Sequence, residues 1–275
     1  MRLRWFVVLG LVAASVLFAT VISDRTPLRS EFCVAEVGTV RAQVDLEQGR
    51  WASLMAAIAQ QRGLPPRATT IAIATAFQES KIHNIDYGDR DSVGLFQQRP
   101  SQGWGTTEEI LDPHHSIGAF YDALVKVDDY ETMDINDAAQ LVQRSGFPQA
   151  YAQHEEYARA LASSLRGYSP NEFTCQVNAS SIGSTTAVVE DITLAFGDIE
   201  VVRDGDDARY PLAPGTVDDV NARGWALAHY LVGQASTLGI TEVAFDRRVW
   251  TAADSNRGWV KDLDAATDTV TVSTN

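Results

Sequence analysis

The chain has 275 residues, of which 45% are hydrophobic and 21% charged, a composition that excludes intrinsic disorder, collagen and coiled coil and provides for one large or two modest globular domains. Its 22 basic residues face 36 acidic ones, a net charge of −14. A surface of that sign repels phosphate, so no nucleic-acid partner is expected.

At the amino terminus Arg2 and Arg4 precede an uncharged run of 18 residues from Trp5 to Ile22. At a helical rise of about 1.5 Å per residue the run covers roughly 27 Å, close to the thickness of a bilayer's hydrocarbon core. One reading is a single-pass membrane anchor with the rest of the chain extracytoplasmic, since the arginines lie on the near side. The other is a signal segment cut after Val21-Ile22-Ser23, which leaves a secreted protein. Both export the remainder of the chain, and residues 1–32 are assigned to this segment and its juxtamembrane stretch. Cys33 and Cys175 are the only cysteines. In an oxidising compartment two such distant thiols suggest one disulfide, which would stabilise the fold by roughly 4 to 5 kcal/mol through loop closure; two buried free thiols are the alternative.

Residues 33–177 read as a first, helical domain. Trp51, Leu54, Met55 and Ile58 recur at helical spacing, and Pro66 suits the first turn of a helix carrying Ile71, Ala74, Phe77 and Gln78. Tyr87 to Trp104 breaks the period. Thr106 and Glu109 have the spacing of a capping box, Ile117, Phe120, Tyr121 and Leu124 mark a helix after Pro113, and two further helices are expected at 137–144 and 149–165. Residues 178–187 are small and polar and read as a linker. Residues 188–275 then form a small α+β domain, with short strands at 199–202 and 242–245 around a helix from Val217 to Leu238. From Thr185 onward 15 acidic residues face 7 basic ones, so this part does not dock on anionic polymers by charge alone. The expected fold class is therefore mainly α, a helical domain followed by a small α+β domain, with an N-terminal transmembrane helix.

The informative stretch is Ala72-Ile73-Ala74-Thr75-Ala76-Phe77-Gln78-Glu79-Ser80-Lys81, an almost wholly apolar helix that ends on a carboxylate. Burial disfavours the charged form, so Glu79 could stay protonated near neutrality and donate to a leaving oxygen, as a glycosidic general acid must. A solvent-exposed helix-end glutamate, or one paired with Lys81 or Arg99, fits the same periodicity.

Glu79-Ser80, a polar loop, and then Gly94-Leu95-Phe96-Gln97-Gln98-Arg99-Pro100 resemble the Glu-Ser and Gly-Leu-Met-Gln-x-x-Pro signatures of soluble lytic transglycosylases, which share a lysozyme-like fold with goose-type lysozymes. The likeness covers Trp51 to Leu165. It implies that Glu79 is the catalytic acid/base, that Ser80 supports it, and that Gln97 and Gln98 contact saccharide. The run from Gln97 to Gly105 also looks like exported actinobacterial proteins in which this domain precedes a small C-terminal domain of unassigned reaction. One departure stands out: the family's Ala-Tyr-Asn-Ala-Gly gives way to Leu141-Val142-Gln143-Arg144-Ser145-Gly146, so its tyrosine is missing. Tyr151, on the next helix, is the residue expected to fill that space, and Gln143 and Tyr151 join Ser80, Gln97 and Gln98 as substrate-binding candidates. An inverting hydrolase needs a second carboxylate to hold water, and Asp91 first and Asp89 second are the candidates, with Asp86 beside them. The sequence leans towards that water-using reaction.

No metal or other cofactor is expected. His83, His114, His115, His154 and His229 are scattered without chelating spacing, the aspartate loop lacks the order of a calcium loop, and no Gly-x-Ser-x-Gly elbow occurs. Trp104, Tyr87 and Tyr121 can stack on sugars or fill the core, and His229 with Asp246, Arg247, Arg248 and Trp250 can line a pocket or form ordinary surface. The expected function is cleavage of peptidoglycan glycan strands between N-acetylmuramic acid and N-acetylglucosamine. Its rival is a non-catalytic, membrane-anchored wall-binding or scaffold protein that contacts an envelope partner through its C-terminal part.

Overall fold

A computed structural model describes residues 30–146, 149–178 and 182–274. The membrane-anchor reading falls on residues 1–22, outside those described, and among the described residues no helix is long and apolar enough to cross a membrane. Glu31 to Asn275 forms one compact unit.

The expectation of a mainly α architecture is corrected by two sheets: 46% of the structure is helical and 18% is strand, in sheets of three and six strands. In the first sheet β1 (Phe32–Val37) pairs antiparallel with β2 (Val40–Val44) on one side and β3 (Phe173–Gln176) on the other. Cys33 lies directly opposite Cys175 in that register, and the two form a disulfide across a sequence separation of 142. The second sheet has the order β4-β5-β9-β6-β7-β8, built from Val202–Asp204, Asp207–Pro211, Thr269–Thr274, Ile240–Phe245, Arg248–Thr251 and Val260–Lys261. Its β9 alternates Val270 and Val272, both buried, with threonines, the period of a half-buried strand.

Helices α1 (Leu46–Gln61), α2 (Pro66–Ser80), α3 (Thr107–Leu111), α4 (Pro113–Leu124), α5 (Ile135–Gln143) and α6 (Glu155–Leu165) surround the site region. The capping box of Thr106 and Glu109 is present at the start of α3. Tyr121 is core: it is fully buried and donates its hydroxyl to the Met55 carbonyl at 2.9 Å.

The C-terminal segment adds α7 (Thr185–Phe196) and the 22-residue α8 (Val217–Leu238). Every residue of α8 from Gly224 to Ala235 is buried, because it has neighbours on more than one side. Towards the second sheet, a Cβ on Gly224 would lie 2.0 Å from the Phe245 ring, so only glycine permits that approach. Towards α1, Gln234 Nε2 donates to Ser53 Oγ at 3.2 Å and the Arg50 carbonyl at 3.3 Å. Two indoles complete the join: Trp250 Nε1 donates to the Cys175 carbonyl at 3.1 Å and Trp259 Nε1 to the Phe173 carbonyl at 2.8 Å. Residues 33–177 and 188–274 thus bury side chains in one shared core.

The pocket suggested by His229, Asp246, Arg247, Arg248 and Trp250 is not formed. His229 and Trp250 are fully buried, and Asp246 accepts from Asn221 at 3.1 Å. His229 sits among the rings of Trp225, Trp259 and Phe173, at centroid distances of 5.1, 5.9 and 5.9 Å.

Candidate functional site

Pro66 opens α2, where the missing amide hydrogen costs nothing, and the helix buries nine consecutive residues from Ala68 to Ala76 before reaching Glu79. The helix stops at Lys81, in the left-handed region at φ 58°, followed by Ile82 at φ 56°. Ser80 ties this end to the next loop, donating its hydroxyl to the Leu95 carbonyl at 2.7 Å. Gly94 turns that loop at φ 79°, and a Cβ there would lie 2.9 Å from the Ile110 carbonyl. The loop therefore packs directly on α3 and is anchored at both ends.

Glu79 is half-buried, and Tyr151 donates its phenol to Glu79 Oε1 at 2.7 Å. The Gln143 side chain lies near enough to draw the carboxyl towards its charged form, and its Nε2 donates to the Phe96 carbonyl at 2.7 Å. Burial raises the Glu79 pKa above the ordinary glutamate value, against the pull of Tyr151 and Gln143, which favour the charged form. Burial and the neighbouring Glu79 hold the Tyr151 phenol protonated far beyond neutrality, so it serves as a donor. The site thus unites Glu79 with Gln143 at the end of α5 and Tyr151. Tyr151 does not lie in the expected 149–165 helix. It precedes a single 3-10 turn, Ala152–His154, before α6 begins at Glu155.

Several residues not anticipated from the sequence fix that turn. Asn136 Oδ1 accepts from the Ala152 amide at 3.2 Å, and Gln78 Oε1 accepts from Gln153 Nε2 and lies 3.1 Å from His154 Nε2. His154 stacks on Phe77, with centroids 5.6 Å apart. No periodic or motif signal marks these contacts, which span 16 to 77 positions of sequence.

The other site candidates are placed differently. Both Asp91 oxygens are engaged, Oδ1 by Arg99 Nε at 2.7 Å and Oδ2 by the Ser101 amide at 2.8 Å. Those bonds from Ser101 and Arg99 hold the carboxyl well below the usual carboxylate range. Asp89 is exposed, with Arg90 Nε 3.7 Å away. Gln98 is 2% exposed and donates Nε2 to the Ser116 carbonyl at 3.1 Å, so it braces the loop from inside. Gln97, at φ 48°, donates to the Tyr87 carbonyl at 3.2 Å.

Two clefts adjoin these residues. One, of about 600 Å³, is lined by Gln143 together with Gln102, Trp104, Ala123, Lys126, Val127, Leu141, Val142 and Arg144. The other, of about 770 Å³, is lined on one side by Ser80 and Lys81 and includes Glu47, His83, Asp86 and the largely exposed Tyr87. Among the described residues no group of three or more His, Cys, Asp or Glu side chains could hold a metal ion. No family model matches the chain, and no curated protein is significantly similar to it.

Proposed function

We propose that the chain is an exported glycosidase that cleaves peptidoglycan glycan strands between N-acetylmuramic acid and N-acetylglucosamine, with Glu79 as general acid. The observation that carries this reading is the pair formed by Glu79 and Tyr151: a half-buried carboxyl of raised pKa whose Oε1 accepts a phenolic hydrogen at 2.7 Å. That bond leaves Oε2 to carry the acidic proton, while burial keeps the carboxyl protonated closer to neutral pH than an ordinary glutamate. The resemblance of the Glu-Ser and Gly-Leu-Phe-Gln-Gln-Arg-Pro motifs to lytic transglycosylases supplies the substrate class. The Cys33–Cys175 disulfide supports an oxidising compartment.

The arrangement favours the ring-closing reaction over water attack, against the lean of the sequence. A water-holding carboxylate needs a free oxygen some 6.5 to 9.5 Å from the acid; both Asp91 oxygens are engaged by Arg99 and Ser101, and Asp89 stands in solvent. In the ring-closing route Glu79 gives its proton to the leaving glycosidic oxygen as the bond to the anomeric carbon breaks. The muramyl 6-hydroxyl then closes on that carbon and returns its proton to Glu79, so no water is consumed. Gln143 and Tyr151 keep the carboxyl oriented through both transfers.

The test is digestion of purified sacculi with wild-type protein and Glu79→Gln, followed by mass spectrometry of released muropeptides. Anhydro-muramyl ends from the wild type and their loss in the variant are expected. Ends heavier by one water would shift the reaction to hydrolysis, and no soluble product from the wild type would favour a wall-binding protein.

A further inference from the structure

The cleft beside Gln143 has a charge pattern opposite to that of the whole molecule. The chain has 36 acidic residues against 22 basic ones and only three lysines, yet this cleft is lined by Lys126 and Arg144 and by no carboxylate. Both side chains are exposed, and neither makes an ion pair with any described residue. The cleft on the Ser80 side, by contrast, offsets Lys81 with Glu47 and Asp86. Two unpaired cations in a concave wall of an otherwise anionic protein form a local attractor for negative charge.

The position of the cleft ties it to the acid. Gln143 lines it and also favours the charged form of the Glu79 carboxyl, and Arg144 follows Gln143 directly, held at φ 52° as its amide donates to the Gln140 carbonyl at 2.8 Å. Trp104, packed partly against the core, adds an aromatic wall of the kind on which sugar rings stack. We infer that this cleft holds the carboxylate-bearing substituent of a saccharide whose glycosidic bond lies at Glu79, so that Lys126 and Arg144 select acidic glycans over neutral ones. The inference rests on the glycosidase reading and adds the chemistry of the preferred substrate. Arg144 offers a planar fork suited to a carboxylate and Lys126 a mobile point charge.

The test is calorimetric binding to the full chain carrying Glu79→Gln, which prevents turnover. Three probes are compared: a neutral N-acetylglucosamine pentamer, a peptide-free glycan whose acid is the muramyl lactyl carboxylate, and the same glycan bearing peptide stems. The acidic glycans should bind more tightly than the neutral one, by an amount that shrinks as salt is raised from 50 to 300 mM, since exposed charges are screened. Adding Lys126→Glu and Arg144→Glu should weaken acidic glycans roughly tenfold and leave the pentamer unchanged. Which acidic glycan gains more identifies the source of the carboxylate, lactyl or peptide. Equal binding of all three probes, or an acidic preference that survives the double substitution, overturns the inference while glycan binding stands. Failure of every probe to bind overturns the glycosidase reading and this inference with it. Gln replacements at both positions, with thermal melting, control for folding.

Discussion

Tyr151 and Glu79 meet 72 positions apart in sequence, the phenol donating to a carboxyl oxygen at 2.7 Å. The bond favours the ionised carboxylate, so its removal leaves burial less opposed. Tyr151→Phe should therefore raise the Glu79 pKa further, an outcome read directly by carboxyl NMR titration. If Glu79 is the acid, the alkaline limb of activity moves to higher pH while turnover falls through lost orientation. An unchanged Glu79 titration would show that the phenol does not tune it.

On the proposed glycosidase reading, Glu79→Gln preserves shape and removes the proton donor, so muropeptide release should drop by roughly 100-fold or more. Stability should move the other way. A carboxyl whose folded pKa is raised contributes stability that is complete below its unfolded pKa and is lost as pH rises through the folded value. At neutral pH and above the variant should melt at a higher temperature than the wild type, and the difference should vanish in acid below the ordinary glutamate pKa. A variant less stable than wild type at pH 8 would contradict the burial argument.

His229 is fully buried and its pKa is pushed down to about 4 by burial, with Nδ1 2.7 Å from the Ser164 carbonyl. Because the folded pKa lies below the unfolded value of about 6.5, the stability involved is complete above pH 6.5 and is lost as pH falls through 4. The loss amounts to about 3 kcal/mol, at about 1.4 kcal/mol per pH unit over that interval. Urea midpoints measured from pH 7 to pH 4 should fall less steeply in His229→Gln than in the wild type. Parallel curves would mean that the imidazole does not set the acid limit.

The disulfide joins β1 to β3 across a separation of 142 residues, with both cysteines fully buried. Loop-closure entropy for that length corresponds to about 5 kcal/mol. The double variant Cys33→Ser, Cys175→Ser should lose most of that in chemical denaturation, since two hydroxyls also enter a dry core. A loss under 1 kcal/mol would show that the sheet is held by packing alone.

Local signals in this chain were strong wherever one residue type or one short spacing decides the backbone. Pro66 starts α2, the Thr106 and Glu109 box starts α3, and α8 runs from Val217 to Leu238, all legible from neighbouring residues because capping and helical periodicity are local. Glu79 was legible for the same reason, as a carboxylate closing an apolar helix. The first sheet was not. Its strands β1 and β3 lie more than a hundred residues apart, and their pairing sets Cys33 opposite Cys175 and Ala35 opposite Phe173, all four buried. The shared core was equally hidden, because α8 carries apolar residues on most of its circumference and sequence does not say that α1 and the second sheet both take a face. At the site, tertiary structure decided the partners of Glu79. Asp91 lies close in sequence but is committed to Arg99 and Ser101, whereas Tyr151 comes from a turn held by Asn136 and Gln78. Sequence determines which chemical groups are present and, where a cap or a strong period marks them, which stretches are helical; packing determines which groups gather at Glu79, because hydrogen-bond partners are set by distance in space and not along the chain.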